Sequence, residues 1–255
     1  MNAHLSGYPD PNAADVILAL AADDLRLLAH LHDRELTPEL LSELRRCPMA
    51  SRLAIRPDVD EDFAAFLLMD EALASRACDG SPAHMDLLHA DFAAIYLNHT
   101  YSVSPNEGVW LEPEGLDRQE PMFEVRRWYQ HYGMQAPDWR KRPDDNLVLQ
   151  LQFIAHLLEG PTPDASKDAA AFMDHHILRW IEHFAERIAH RCDTQFYAGL
   201  ALVTAVHLKA LRKTLVNAVG MPLVEMEPIE EEKRRRREAA QEAAARFLPG
   251  VAPSW

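Results

Sequence analysis

Arg142-Pro143-Asp144-Asp145-Asn146-Leu147-Val148-Leu149-Gln150-Leu151-Gln152-Phe153-Ile154-Ala155-His156-Leu157-Leu158 carries the clearest helix signal in the chain. Pro143 has no place inside a helix, and Asp144 or Asp145 can accept hydrogen bonds from the orphan N–H groups of a first turn, so a helix starts here. Leu147, Leu151, Ile154 and Leu158 then recur at helical spacing and form one face for burial against other helices. Gly160, Pro161 and Pro163 end it.

The same grammar runs outward in both directions. Asn12 can cap a helix to about Asp33, with Val16, Leu20, Leu27 and Leu31 inside, and Thr37-Pro38 starts a second that ends near Cys47-Pro48. Asp60 to about Cys78 carries Phe63, Phe66, Leu67 and Leu73 inward. Asp79-Gly80-Ser81-Pro82 caps the next, to about Asn98, through Met85, Leu88, Phe92, Ile95 and Tyr96. His99 to Leu116 shows no sustained helical period, yet it holds Tyr101, Val103, Trp110 and Leu111, so it reads as an ordered loop packed over the core or forming a binding surface. Gln119 to Tyr132 is a helix closed by Gly133. Ser166 or Asp168 begins a long helix to about His190, and Asp193 or Thr194 caps another to about Asn217, closed by Gly220 and Pro222. No strand-like alternation is long enough for a sheet. The expectation is an all-α domain of about eight to nine helices over residues 1–227. A charged, alanine-rich helical extension and a frayed tail from Leu248 to Trp255 follow over 228–255.

Composition narrows the function. The chain has 255 residues and 48% apolar content, enough for a large core. Against 26 Lys and Arg stand 40 Asp and Glu, a formal charge of −14, which argues against a duplex nucleic-acid binder and favours cationic ligands. Cys47, Cys78 and Cys192 form no CxxC pair, as suits a reducing cytoplasm. No export signal is seen in Met1 to Asp15, and no run approaches the roughly 18 apolar residues of a membrane span, so a soluble, unexported protein is expected.

Catalytic motifs are missing from the reading: there is no glycine-rich phosphate loop, no HExxH and no nucleophile context. His176, His183 and His190 fall seven apart, with His175 beside them, and suggest a metal or haem column. Such steps separate side chains by roughly 10 Å along a helix, too far to share one ion with bonds of roughly 2 Å. A second alternative is RNA binding through the basic run Lys233 to Arg237, whose blander reading is a solvated terminal helix with its acidic residues first.

An ordered set of segments carries a family resemblance. Asp91-Phe92 with Ile95-Tyr96, Asn106-Glu107-Gly108-Val109-Trp110-Leu111, Pro121 to Tyr129 with Tyr132-Gly133, Pro143-Asp144-Asp145-Asn146-Leu147, His175 to Trp180 and Phe196-Tyr197 together resemble the TorD/DmsD/NarJ family of cytoplasmic molybdoenzyme maturation chaperones, over roughly residues 15 to 217. The resemblance implies a TorD-like all-helical domain without catalytic residues, metal or cofactor. It implies binding of the twin-arginine signal peptide and the apo form of a molybdoenzyme catalytic subunit, with molybdenum-cofactor biosynthesis proteins as further candidate partners and a monomer or helix-swapped dimer as the assembly. Arg guanidinium pairs with carboxylates in a fork, which makes Asp91, Glu107, Asp144 and Asp145 candidate peptide ligands, with Tyr96, Trp110 and Leu147 for the apolar part and Asn146 as a polar contact. Asp144 could instead only cap its helix, and Asp91 could be solvated or locally paired. Asn146 stands where the family pattern usually has His, and Gly108 where it usually has Ser. With Asp145 and Asn146 exposed at the helix start, recognition should follow the Asp145 charge and change little between about pH 6 and 8.

Overall fold

The computed structural model describes residues 11–246 apart from 59, 77, 161 and 162, so the expected fraying of Leu248 to Trp255 lies outside the described residues. Twelve α-helices follow in order: α1 (Pro11–Asp33), α2 (Pro38–Arg45), α3 (Met49–Arg52), α4 (Asp60–Ala74), α5 (Pro82–Phe92), α6 (Glu107–Leu111), α7 (Glu120–His131), α8 (Leu147–Leu158), α9 (Pro163–His175), α10 (Ile177–Ala189), α11 (Gln195–Val219) and α12 (Ile229–Arg246). A π-helical turn, Ala93–Leu97, continues α5. Among the described residues there is no strand, only an isolated bridge between Asn106 and Asn146. The class is the expected one. The helix count is higher because α3 and α6 are a turn or so each, and because the long helix expected up to His190 breaks at His176, where φ is −122° and ψ −92°.

Local punctuation works as the residue types dictate. Thr37 accepts the Leu40 N–H at 3.2 Å and Ser81 the His84 N–H at 3.3 Å, each with Pro at the first helical position. Gly133 and Gly220 take φ of +68° and +71° just past α7 and α11, conformations that a Cβ would strain. At α1 the helix opens on Pro11, so Asn12 lies within the first turn rather than at the cap.

α8 lies against α1 and α9, while α11 lies against α10 and α4. Only Gln152 and His156 of α8 are exposed, so the helix is buried nearly all round, not along the one face its leucines mark. The inward face of α1 differs from expectation: Val16 and Leu20 are 53% and 46% exposed, and Leu18, Ala21, Ala22, Leu25 and Leu28 face in instead. Alanines allow close packing, and apolar residues all round the helix leave its period ambiguous. Leu67 on α4 is likewise exposed, while Phe66 and Met69 are buried.

Two contacts fix the C-terminal half. Arg212 of α11, 1% exposed, forms a fork on Asp174 of α9 at 2.8 and 2.7 Å, and also donates to the carbonyls of Met221 and Pro222 at 3.0 and 2.5 Å. That pins the chain leaving α11. α12 is docked rather than simply solvated: Ile229 is buried, Arg236 pairs with Glu112 at 3.2 Å, and Arg237 donates to the Pro113 carbonyl at 2.6 Å.

Gly199 is where α11 meets α4, since a Cβ there would stand 2.9 Å from Met69 Cα and 3.0 Å from its Sδ. Gly199→Ala is expected to destabilise the protein by about 1–3 kcal/mol despite the better helix propensity of Ala, because the obstructing atom is backbone. Urea unfolding checks this, and a stabilised variant would contradict the close approach.

Candidate functional site

Two loops meet at the bridge between Asn106 and Asn146. The Glu107 N–H donates to the Asp145 carbonyl at 3.1 Å, the Leu147 N–H to the Pro105 carbonyl at 2.7 Å, and Asn146 Nδ2 to Asn106 Oδ1 at 2.9 Å. The starts of α6 and α8 are thereby locked side by side. Asn146 is the cap of α8, its Oδ1 accepting the Val148 N–H at 3.1 Å. Neither aspartate caps this helix. Asp145 Oδ2 reaches across and accepts the Gly108 N–H at 2.8 Å, within α6, and a Cβ at Gly108 would stand 3.2 Å from that oxygen. Asp144 turns to Arg126, with Nη2 at 2.8 Å, and its carbonyl takes the Tyr129 hydroxyl at 2.9 Å. Asp145 and Asn146 are buried, at 0% and 7% exposure, where exposure was expected. The long-range partners took them inward.

Behind the bridge lies a buried polar cluster. Glu107, fully buried, has His176 Nδ1 2.9 Å from Oε1 and accepts Gln150 Nε2 at 2.5 Å on Oε2. Among the described residues, Asp145 Oδ1 and Gln150 Oε1 have no hydrogen-bond partner. Desolvation, reinforced by the nearby Glu107 and Asp117 charges and opposed by the Gly108 N–H, pushes the Asp145 carboxyl up to about 7. A group adjoining Asn146 thereby titrates near the window of pH 6 to 8 in which recognition was expected to change little.

The cluster backs onto an open cleft of about 280 Å³, whose lining includes Asp33, Tyr96, Asn106, Asp117, Arg142 and Asn146. The π turn brings Tyr96 and Leu97 to it, and π turns are often found at functional sites. The Tyr96 hydroxyl shares a hydrogen bond of 2.6 Å with His32 Nδ1, and His32 Nε2 is 2.9 Å from Thr204 Oγ1. Burial drives the His32 imidazole down to about 3, so it is neutral at pH 7. Asp33 pairs with Arg142 at 2.5 Å. Desolvation of Asp33 is outweighed by Arg34 and Arg142, which hold its carboxyl below the usual range.

Of the sequence candidates, Tyr96 and Asn146 line this cleft. Glu107, Asp144, Asp145, Trp110 and Leu147 are buried around it. Trp110 donates to the Ser104 carbonyl at 2.9 Å, stacks on Trp180 and carries Arg187 over its ring at 4.4 Å. Asp91 is 1% exposed. It accepts the Tyr101 hydroxyl at 2.7 Å and the Asp193 and Thr194 N–H groups at 3.1 and 2.7 Å, anchoring the backbone just ahead of α11 from a distant helix. The sequence did not mark Asp33, Asp117, Arg142 or Gln150 as site residues, and it marked His176 only for a metal column. Gln150 had a local signal, a polar residue one turn from Asn146 with leucines on both sides.

The histidine column dissolves in the geometry. His176 is buried at the helix break, while His175, His183 and His190 are exposed, so no column forms, and among the described residues no group of His, Cys, Asp and Glu could hold a metal ion. In the basic run, Arg234, Arg235 and Arg236 pair with Glu231, Glu227 and Glu112.

Residues 57–186, just over half the chain, match the family model described as nitrate reductase delta subunit. The chain belongs to this family, the TorD/DmsD/NarJ chaperones. It is similar to the "Chaperone protein TorD" of Vibrio vulnificus, with 26% identity over 67% of this chain and 82% of the relative. It is also similar to the "Probable Tat proofreading chaperone DmsD" of Haemophilus influenzae, with 27% identity over 48% of this chain and 61% of the relative. TorD/DmsD/NarJ members are chaperones rather than catalysts, and this chain is not an enzyme. The family match takes in Asp91, Glu107, Asp145, Gln150 and His176 and ends before α12.

Asp145 is neutral in the folded state up to about pH 7, whereas its unfolded counterpart ionises near 3.8, so folding holds the extra proton between these values. Stability is therefore expected to fall as pH rises through that window and to lose nothing further from this group above it. Asp145→Asn keeps an acceptor for Gly108 and should gain on the wild type by on the order of a few kcal/mol across the window. Urea unfolding at stepped pH measures the difference, and parallel curves would exclude the shift.

Proposed function

We propose that this chaperone binds the N-terminal twin-arginine signal peptide of a molybdenum-cofactor redox enzyme in the cleft at Asn146, and holds the apo subunit for cofactor insertion before export or assembly. Family membership supports the coarser reading, a molybdoenzyme maturation chaperone. The observation that carries the finer one is the Asp33–Arg142 pair at the cleft, 2.5 Å apart. Arg142 occupies Asp33 as an incoming guanidinium would, and a peptide arginine need only exchange with it, so no buried charge is left unpaired. Asp117 is a second carboxylate at the cleft, and the amides of Asn106 and Asn146 can meet the peptide backbone. Leu97, 63% exposed, extends the cleft with apolar surface suited to the stretch that follows an arginine pair.

Tyr96 and Asn146 serve as contacts in this reading. Glu107, Asp144, Asp145 and Leu147 act through the loop and helix start they hold beside the cleft, while Asp91 and Trp110 serve the packing of the fold. A client met before export places the chaperone in the cytoplasm, and among the described residues no helix is long and apolar enough to cross a membrane.

Calorimetry with a synthetic twin-arginine signal peptide tests the reading. The peptide with both arginines changed to lysine should bind at least about tenfold more weakly, roughly 1.4 kcal/mol, and Asp33→Asn should weaken the arginine peptide by a similar factor. Equal affinity for the two peptides, together with an unaffected Asp33→Asn variant, would remove the signal peptide from this cleft.

A further inference from the structure

A chain of hydrogen bonds runs from the cleft at Asn146 into the core, and it has one direction. His32 of α1 is 1% exposed and Thr204 of α11 is fully buried, while His32 and Tyr96 both line the cleft. Thr204 Oγ1 stands 2.8 Å from the Leu200 carbonyl and 2.9 Å from His32 Nε2, and His32 Nδ1 stands 2.6 Å from the Tyr96 hydroxyl. Burial keeps the imidazole neutral at pH 7, so the ring carries a hydrogen on one nitrogen and a lone pair on the other.

With the hydrogen on Nε2, Thr204 gives its own hydrogen to Leu200 and accepts from His32, and Nδ1 accepts from the Tyr96 hydroxyl. Every hydrogen then has an acceptor, since the Leu200 carbonyl has two lone pairs. With the hydrogen on Nδ1, it points at the Tyr96 oxygen, and the Tyr96 hydrogen is left without an acceptor among the described residues, because His32 is the hydroxyl's one partner there. A buried donor left unpaired is costly, so the first arrangement holds.

The consequence falls on Tyr96. With its hydrogen committed inward, its oxygen has only lone pairs to offer the cleft. The Phe92 and Tyr197 rings, with centroids 4.8 and 6.2 Å away, hold the phenol in place. Asp33 follows His32 in sequence and lines the same cleft. A guanidinium carries five N–H donors in a fixed fan, and a carboxylate fork uses two of them, whereas an ammonium has three donors on a single nitrogen.

We propose that His32, oriented by Thr204, is a positioning residue of the cleft: it makes the Tyr96 hydroxyl a fixed acceptor for a guanidinium N–H that Asp33 leaves free, and so favours arginine over lysine. The proposal rests on the signal-peptide reading of the cleft and adds the bonds that stand behind it.

The test joins NMR to calorimetry on the full-length chain. Long-range nitrogen–proton correlation of histidine-labelled protein at pH 7, with His32→Gln to assign the ring, should show His32 protonated at Nε2. Thr204→Val removes the acceptor at nearly constant volume and should move the hydrogen to Nδ1. It should weaken the twin-arginine peptide at least about fivefold and change the peptide with both arginines replaced by lysine less than about twofold. Thr204→Ser keeps the hydroxyl and should behave as the wild type in both measurements. A role in folding alone would weaken both peptides alike. The proposal is overturned by Nδ1 protonation of His32 in the wild type, or by a Thr204→Val variant that binds both peptides as the wild type does or weakens them equally, and the signal-peptide reading survives any of these results. A wild type that binds the two peptides equally overturns that reading, and the proposal with it.

Discussion

The bond from the Gly108 N–H to Asp145 Oδ2, with its companion from the Glu107 N–H to the Asp145 carbonyl, is the constraint on which the functional half of the molecule depends. α6 has five residues, too few to persist as a helix in water, because so short a segment never recovers its nucleation cost. It exists because Asp145 supplies acceptors at its start. The same contact brings Asn106 beside Asn146 and Glu107 beside Gln150. Asn106 and Asn146 look onto the cleft, and Glu107 lies buried against His176.

Such a cluster is expensive to bury and for that reason specific. Glu107 keeps two hydrogen bonds, while Asp145 keeps one on its side chain and meets the remaining cost by staying protonated to about pH 7. An apolar replacement of the set would remove the desolvation cost but also the register between α6 and α8, since apolar contacts do not fix which residue meets which. Asp91 does the same service elsewhere, anchoring the backbone ahead of α11 from α5, and Asp174 with Arg212 ties α9 to α11. Acidic residues that the composition presents as solvating charge are, at these positions, internal fasteners.

Much of the fold was legible because its signals are local. Thr37-Pro38, Ser81-Pro82, Gly133 and Gly220 each act on their own turn, and the structure uses them as the residue types require. The ordered segments from Asp91 to Tyr197 were likewise enough to indicate the family. The candidate site was legible in place but not in role. Pro143-Asp144-Asp145-Asn146 offers three possible caps in a row, and local rules rank Asp with Asn. The choice of Asn146 came from Gly108 and Arg126, which drew the two aspartates away from α8. His176 was read as part of a continuous helix because nothing in its neighbours breaks one, and its partner Glu107 is 69 residues away.

The sequence by itself determined the class, the helix starts and stops, the absence of strand patterning and the family, because each depends on spacing or side-chain chemistry within a few residues. Tertiary contacts alone settled which apolar residues of α1 and α4 face inward, where the helix after α8 breaks, and which carboxylates line a cleft. Burial and hydrogen bonding of a charged group depend on partners that only folding brings near, so the aspartates and the glutamate that looked like open ligands became walls. Asp33 and Asp117, with no local signal, became the carboxylates that line the cleft.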